Sequence, residues 1–413
     1  MCRALVISNL HAPDCVGGYE MVASECMDAL ERDCGWQIRC HCATTGRPNL
    51  GPYPPRVTAG RLTGYFPRGW THHHALLPAA RHLTDNARAA ETLQREAAAA
   101  DVTLLFNPRR LSTLQWVPAI AAARNPVAWI SDYWPAEYPD CDKLWQAAVA
   151  NRFSLSPLIM LGAARVRRFY GMRKPAPADL ACIRRAAFVS DFVLKKNAPA
   201  LPRLEEAAVI PNGIDPTLFP FAPMSADRWR TWGFCGRIQP EKGIAQALDM
   251  FARAAAGQRD LRFLLAGDMR TAHGCEIQRK IAANPVLASR VELLGAVPRN
   301  QLASRFYHRV GMLLFTSQWD EPFALTVVEA MACGAYVAAT DTGGTAEIVT
   351  PRTGLLLPRT PIETTGPLLA ALPTAPTRLI EEQLAAARAA ASGKTIRQMA
   401  EKLAAFAKGG KLK

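Results

Sequence analysis

Glu321 and Glu329 stand eight positions apart in the segment Glu321-Pro-Phe-Ala-Leu-Thr-Val-Val-Glu329-Ala-Met-Ala-Cys-Gly334. The apolar run 312–316 ahead of it is strand-like. The segment therefore reads as a strand-to-helix turn whose helix starts near Phe323 and stops at Gly334, a residue suited to a left-handed cap. A helix approached from a strand's C-terminal end offers N–H groups and the positive end of its dipole to a phosphate, here through Phe323, Ala324 and Leu325. Leu325, Val328 and Ala332 form the expected buried stripe, with Glu329 beside it. A carboxylate in that position must be paired or must hold hydroxyls, because burying an isolated charge is costly.

A second constellation is the turn Gly236-Arg-Ile-Gln-Pro-Glu-Lys242-Gly243. Arg237 can fork onto two phosphate oxygens and Lys242 can supply a point charge, while Gly236 and Gly243 let the backbone come close. That composition suits a diphosphate clamp. Gly17 and Gly18 lie between the first strand and the first helix, where missing side chains let a sugar or phosphate touch backbone amides. Thr342-Gly343-Gly344 is a similar loop, and Glu347 is expected to open a helix as an N-terminal acid. Ser131-Asp132-Tyr133-Trp134 follows the strand-like run 127–131, and Trp129, Tyr133 and Trp134 supply an aromatic wall able to stack on a sugar face.

These residues need elements to hold them. The chain has 413 residues, 49% hydrophobic and 20% charged, which fits two domains with proper cores and excludes disorder and small disulfide scaffolds. Residues 1–200 alternate strand-like and helical runs, starting with a βαβ unit, and read as one Rossmann-like domain. Residues 201–375 repeat the pattern, with Val209-Ile210 opening the second series. Ile244, Ala247, Leu248, Phe251 and Ala252 form the apolar stripe of a helix lying on a sheet. Residues 376–413 form a helical tail expected to pack back on the first domain. The fold class is α/β, with two doubly wound parallel sheets. Tandem sheets of this kind bind ligand in the cleft between their strand C-terminal ends.

At this point a resemblance carries the reading further. The Glu-x7-Glu segment with its Glu-Ala-Met-Ala-Cys-Gly continuation resembles the signature of the retaining nucleotide-sugar glycosyltransferases of family 4, which have the GT-B fold. Ile210-Pro-Asn-Gly-Ile-Asp215, the 234–243 loop, Leu265-Ala-Gly-Asp268, Thr342-Gly-Gly-Thr-Ala-Glu347 and the Gly17-Gly18 loop match in the same order. The resemblance covers 205–358 well and 1–200 in outline. It implies that Arg237 and Lys242 neutralise a donor diphosphate, that Glu329 grips ribose hydroxyls, and that Glu321 lies near the transferred sugar. It also implies a nucleotide-sugar donor, a hydroxyl acceptor (glycan, lipid-linked or small molecule), and retention at the anomeric carbon. Many family members carry a His-Asp pair after the strand at 127–131; this chain keeps Asp132 but has Ser131, which cannot supply an imidazole. His11 is a stand-in for it. No tightly bound cofactor and no metal are expected, because two cations and oriented amides can neutralise the diphosphate and no carboxylate cluster has magnesium-like spacing. The rivals are a catalytically silent sugar-nucleotide-binding protein, or an epimerase or phosphorylase on the same fold.

Charge and cysteine usage bear on partners and compartment. The net charge is +14, and residues 151–200 and 351–413 together hold the whole excess. The basic and aromatic run at 165–174 points to an anionic membrane surface; no RNA-recognition motif accompanies the charge, so nucleic acid is not expected as a partner. No stretch approaches the roughly 18 apolar residues of a membrane span, and the chain reads as cytoplasmic. Its 11 cysteines include no C-x-x-C pair, so they read as reduced thiols, with Cys40 and Cys42 on one strand face and His41 on the other. His72-His73-His74 cannot all ligate one ion.

Overall fold

The computed structural model describes residues 1–15, 17–43, 52–59, 76–108, 111, 113–138, 176–359 and 375–410. The histidine run 72–74, the basic run 165–174 and Cys141 lie outside the described residues. The chain forms two compact units: Met1–Pro211 with Met399–Lys413, and Asn212–Gln398.

The first unit carries a sheet of β1 (Cys2–Ser8), β2 (Trp36–Cys42), β3 (Val57–Ala59), β4 (Val102–Phe106), β5 (Pro126–Ile130), β6 (Arg185–Phe188) and β7 (Glu206–Val209). Their order is β3-β2-β1-β4-β5-β6-β7, and every neighbouring pair is parallel. β4 is buried at every position, as expected of a strand covered on both faces by crossover helices. Those helices include α1 (Gly18–Cys34), α2 (Leu76–Ala99) and α3 (Thr113–Ala122). β1 and β4 are neighbours where the strand order reverses, so their C-terminal ends flank the crevice where such sheets take ligands.

The second unit repeats the architecture with β8 (Thr231–Cys235), β9 (Arg262–Ala266), β10 (Val291–Gly295), β11 (Met312–Phe315), β12 (Tyr336–Thr340) and β13 (Leu355–Leu357), ordered β10-β9-β8-β11-β12-β13 and parallel throughout. α4 (Ile244–Gly257) buries Ile244, Ala247, Leu248 and Phe251, the stripe expected from its periodicity; Ala252 is partly buried. α5 (Leu325–Ala332) starts two residues after Phe323, and it ends as expected, with Gly334 in the left-handed region at φ +80° directly after the capping Cys333. Its buried residues are Val327, Val328, Glu329, Ala330 and Met331, while Leu325 and Ala332 are half-buried. A helix wedged behind the central strands is enclosed on more than one side, so a single stripe underestimates its buried face.

Three further expectations shift. Val209 belongs to β7, which pairs with β6 in the first sheet rather than opening the second. A four-residue apolar run carries no signal of which sheet it joins. Glu347 does not open a helix: Gly343–Glu347 is a single 3-10 turn. The tail is two helices, α6 (Arg378–Ser392) and α7 (Ile396–Ala407), interrupted at Gly393. Residues from Met399 onward join the first unit. There Arg185 donates to the Phe406 carbonyl at 2.5 Å and lies 5.0 Å from the Phe406 ring centroid, so a cation seats on the helix's negative end. Among the described residues no helix is long and apolar enough to cross a membrane, and no group of three or more His, Cys, Asp or Glu could hold a metal ion.

Candidate functional site

In the second unit the loops following β8, β11 and β12 converge on Glu321. The Lys242 ammonium lies 2.7 Å from Glu321 Oε1, and the Ser317 hydroxyl donates to the same oxygen at 2.6 Å. Glu321 is 6% exposed. Burial of this carboxylate is tolerable because a cation and a hydroxyl neutralise and satisfy one oxygen. The backbone around it is tied as tightly: the Gln318 N–H donates to the Glu241 carbonyl at 2.8 Å, and the Gly344 N–H donates to the Glu321 carbonyl at 2.7 Å. Gly343, with φ +56°, approaches so closely that a Cβ there would sit 2.5 Å from the Glu321 carbonyl oxygen.

The clamp turn itself is shaped by close approach. Gly236 donates its N–H to the Ala266 carbonyl at 3.0 Å, and the 3-10 turn Pro240–Lys242 ends on Gly243 at φ +70°. Lys242 is therefore aimed at Glu321, whereas Arg237 is exposed and its guanidinium makes no ion pair among the described residues. An exposed guanidinium at the mouth of a turn is open to an anionic ligand at little desolvation cost.

Glu329 sits one turn into α5, 3% exposed, with both oxygens engaged. Oε1 accepts from the Arg299 guanidinium at 2.5 Å and Oε2 accepts from the Tyr307 hydroxyl at 2.7 Å. Burial and the neighbouring Glu329 hold the Tyr307 hydroxyl well above its ordinary pKa, so it stays a donor. Burial, with Glu329 next, also pushes the Cys235 thiol up to about 12 and keeps it protonated. The Arg299 guanidinium also lies 5.0 Å from the Phe219 ring centroid. Phe323 is half-buried and Ala324 buried at the start of α5, whose first turn carries no side-chain cap.

Sequence reasoning did not identify Arg299, Tyr307 or Ser317. The requirement that a buried Glu329 have a partner called for a cation or hydroxyl, but nothing local in the sequence placed it at Arg299 or Tyr307. Nor was Arg228 singled out, although its buried guanidinium donates to the carbonyls of Val310, Ala222, Pro223, Tyr307 and Cys333. It ties the C-terminus of α5 to the segment bearing Tyr307.

The first unit brings Gly17, Gly18 and Asp132 to the C-terminal ends of β1 and β5. Gly17 is the N-cap of α1, and its N–H donates to Glu20 Oε2 at 2.8 Å. Asp132 accepts from the Trp134 N–H at 3.0 Å and from Asn107 Nδ2 at 3.2 Å. Glu20 is fully buried, and desolvation first, with Asp132 among the smaller causes, raises its carboxyl to about 7. His11 is fully buried with Nδ1 2.7 Å from the Ala12 carbonyl oxygen, and burial lowers its pKa, so it is neutral. The Ser131 hydroxyl is buried and without a partner among the described residues. Trp129 and Trp134 are buried with ring contacts to Phe106 and Trp116, so they pack the core.

Comparison with known proteins agrees with this geometry. Residues 230–370 match the family model described as Glycosyl transferases group 1. The GDP-mannose-dependent alpha-mannosyltransferase of Mycolicibacterium smegmatis is 33% identical over 232 residues, 52% of this chain and 55% of that protein. The Salmonella typhimurium lipopolysaccharide 1,2-N-acetylglucosaminetransferase is 31% identical over 120 residues, 28% of this chain and 31% of that protein. The matches thus span from about a third to about half the length of these relatives. Among solved structures, the sucrose-phosphate synthase of Thermosynechococcus elongatus aligns over 99% of both chains with a TM-score of 0.68 at 18% identity. Anabaena HepE, solved in complex with UDP-glucose, aligns over 99% of this chain and 100% of its own with a TM-score of 0.65 at 18% identity. The fold is that of the GT-B glycosyltransferases, two Rossmann-like domains each built on a parallel sheet.

Proposed function

We propose that the protein is a retaining glycosyltransferase that moves a hexose-type unit from a nucleotide diphosphate sugar to a hydroxyl acceptor. The observation that carries this reading is the Lys242–Glu321 pair, 2.7 Å apart, with Lys242 on the same 236–243 turn as the exposed Arg237. In this reading the diphosphate lies on the 236–243 turn, held by Arg237, Lys242 and backbone N–H groups. Glu329 takes the ribose hydroxyls, with Arg299 adjusting as they bind. The acceptor oxygen bonds to the anomeric carbon on the face the diphosphate leaves. The breaking C–O pair goes to the diphosphate, which also takes the acceptor's proton. The cations that spread the leaving-group charge do the chemical work. Gly17 and Gly18 offer backbone amides to a sugar or phosphate, Asp132 is a catalytic group, the compartment is cytoplasmic, and the basic run at 165–174 is the element that would meet an anionic membrane surface.

The test is a melting screen of the full chain against UDP, GDP, ADP and dTDP, repeated with Glu329→Ala and Arg237→Ala. A shift with one diphosphate, lost in both variants, is expected; no shift with any of the four would remove the reading. Retention is tested separately, by the anomeric configuration of the product in proton NMR. A second reading, a sugar-nucleotide-binding protein without turnover, is favoured by Ser131 and a neutral, buried His11. Under it the diphosphate shift persists and no donor is consumed.

A further inference from the structure

Among the described residues the exposed aromatic side chains are Phe221 and Trp319, and their settings differ. Phe221 is covered by the Arg388 guanidinium, 3.7 Å from its centroid. Trp319, 38% exposed, stands in the β11–α5 loop two positions before Glu321, with the Lys242 ammonium 5.5 Å from its ring centroid. That ammonium is the one paired with Glu321, so the indole borders the charged pair.

The loop holds this indole in place. The Ser317 hydroxyl, besides donating to Glu321, lies within hydrogen-bond distance of the Trp319 carbonyl at 3.2 Å. On one side the Gln318 N–H is tied to the Glu241 carbonyl. On the other, Asp320 is paired with Arg359, whose Nε donates to the Asp341 carbonyl at 2.9 Å. A large apolar ring left at the surface loses the stabilisation that burial would bring, and anchoring its neighbours costs further conformational entropy. A partly exposed indole on an anchored loop, beside a cation and a carboxylate, suits a ligand that has both polar groups and an apolar face. A pyranose is such a ligand: its ring C–H bonds present one apolar face to an electron-rich aromatic surface while its hydroxyls reach the carboxylate and the ammonium.

We infer that Trp319 is a specificity-determining stacking platform for a pyranose ring bound next to the Lys242–Glu321 pair. The inference rests on the donor site proposed above and deepens it by naming the group that the indole meets. The ring can belong to the transferred sugar of the donor or to a sugar of the acceptor; the stacking chemistry is the same. Because the backbone on either side is anchored, the loop loses little freedom when a sugar stacks on the ring. Phenylalanine keeps a smaller stacking face at the same place, whereas alanine keeps none.

The experiment uses the full chain with Trp319→Ala and Trp319→Phe. Calorimetry measures the affinity for the nucleoside diphosphate that stabilises the wild type and for its nucleotide sugar. Initial rates give the acceptor KM. If the stacked ring is the donor's, Trp319→Ala weakens the nucleotide sugar by about five- to tenfold, leaves the bare diphosphate unchanged, and Trp319→Phe restores part of the loss. If the ring is the acceptor's, donor affinity is unchanged and the acceptor KM rises by a similar factor, with the same partial rescue. The inference is overturned if neither quantity moves, or if the bare diphosphate weakens as much as the nucleotide sugar, since the indole would then only prop the loop. If the wild type binds no nucleoside diphosphate, the donor-site reading has failed, and saturation-transfer NMR with methyl hexopyranosides then decides the platform alone. Transfer to the pyranoside that disappears in Trp319→Ala supports it, and no transfer overturns it.

Discussion

Gly243 and Thr316 are in contact across the turn that aims Lys242: a Cβ on Gly243 would lie 1.8 Å from the Thr316 carbonyl oxygen, and the Thr316 hydroxyl donates to the Gly243 carbonyl at 2.7 Å. Gly243 also has φ +70°, a conformation in which a β-carbon is strained before any neighbour is counted. Gly243→Ala must therefore push the β8–α4 turn away from the end of β11. The expected loss of stability is at least about 2 kcal/mol, read as a lower melting temperature. Under the proposed function the diphosphate-induced shift disappears as well. An unchanged melting temperature would mean that the two loops are not packed in this way.

Arg228 predicts a different kind of loss. Its guanidinium is buried and bonded to five backbone carbonyls that come from three separate segments. Arg228→Met keeps much of the volume but leaves several carbonyls without a donor. That change should cost about 3–5 kcal/mol, the range for emptying one side of a buried, charge-assisted network. Arg228→Lys, with three donors on one nitrogen, cannot span the same carbonyls and should recover only part of this. Chemical denaturation followed by the second unit's tryptophans, Trp229 and Trp232 among them, measures both. A cost below about 1 kcal/mol for the methionine variant would show that the carbonyls find other partners.

Glu20 gives the fold a pH dependence whose sign follows from its environment. Burial raises its carboxyl from 4.5 to about 7, so the folded chain binds the proton more tightly than the unfolded chain. The stability contributed by this group is fully present below pH 4.5 and is lost as pH rises through about 7. In Glu20→Gln the amide cannot ionise, yet its oxygen can still accept from the Gly17 N–H. The melting temperature of the wild type should therefore fall between pH 5 and 8 relative to the variant, the two curves converging at the acid end. Parallel curves would place the Glu20 carboxyl in its ordinary range.

Much of the second unit was legible because its chemistry is local in sequence. The stripe of α4, the Gly236–Gly243 turn and the carboxylates of the α5 segment each lie within one strand–turn–helix unit, where periodicity and glycine placement carry the signal. Arg299, Tyr307 and Ser317 were not legible, since nothing local links Arg299 to a carboxylate 30 positions later. Only the sheet order, which sets β10 two strands from β8, brings the loop after β10 toward α5. Arg228 escaped for a related reason: a lone arginine in a polar segment looks like a solvated surface residue until its carbonyl partners are known. In the first unit Asp132 could be identified by its type and position, but the rise of the Glu20 carboxyl depends on complete burial, which sequence does not display.

The pairing at Glu329 can be apportioned by a double-mutant cycle. Arg299 and Tyr307 hold different oxygens of one carboxylate, and the Arg299 and Glu329 side chains are 16% and 4% exposed. Arg299→Ala leaves Glu329 with the Tyr307 hydroxyl alone, and Tyr307→Phe leaves it with the guanidinium alone. Because the arginine is partly solvated, its removal should cost nearer about 2 kcal/mol than the full penalty for breaking a buried pair. Removing the tyrosine hydroxyl should cost about 1–2 kcal/mol, the range for a hydrogen bond to a charged group. In the double variant the carboxylate has lost both partners in a site 3% exposed, so the combined loss should exceed the sum of the single losses by at least about 0.5 kcal/mol. Strict additivity would mean that water replaces the missing partners, and that Glu329 is open enough to exchange the Arg299 guanidinium for ligand hydroxyls without cost.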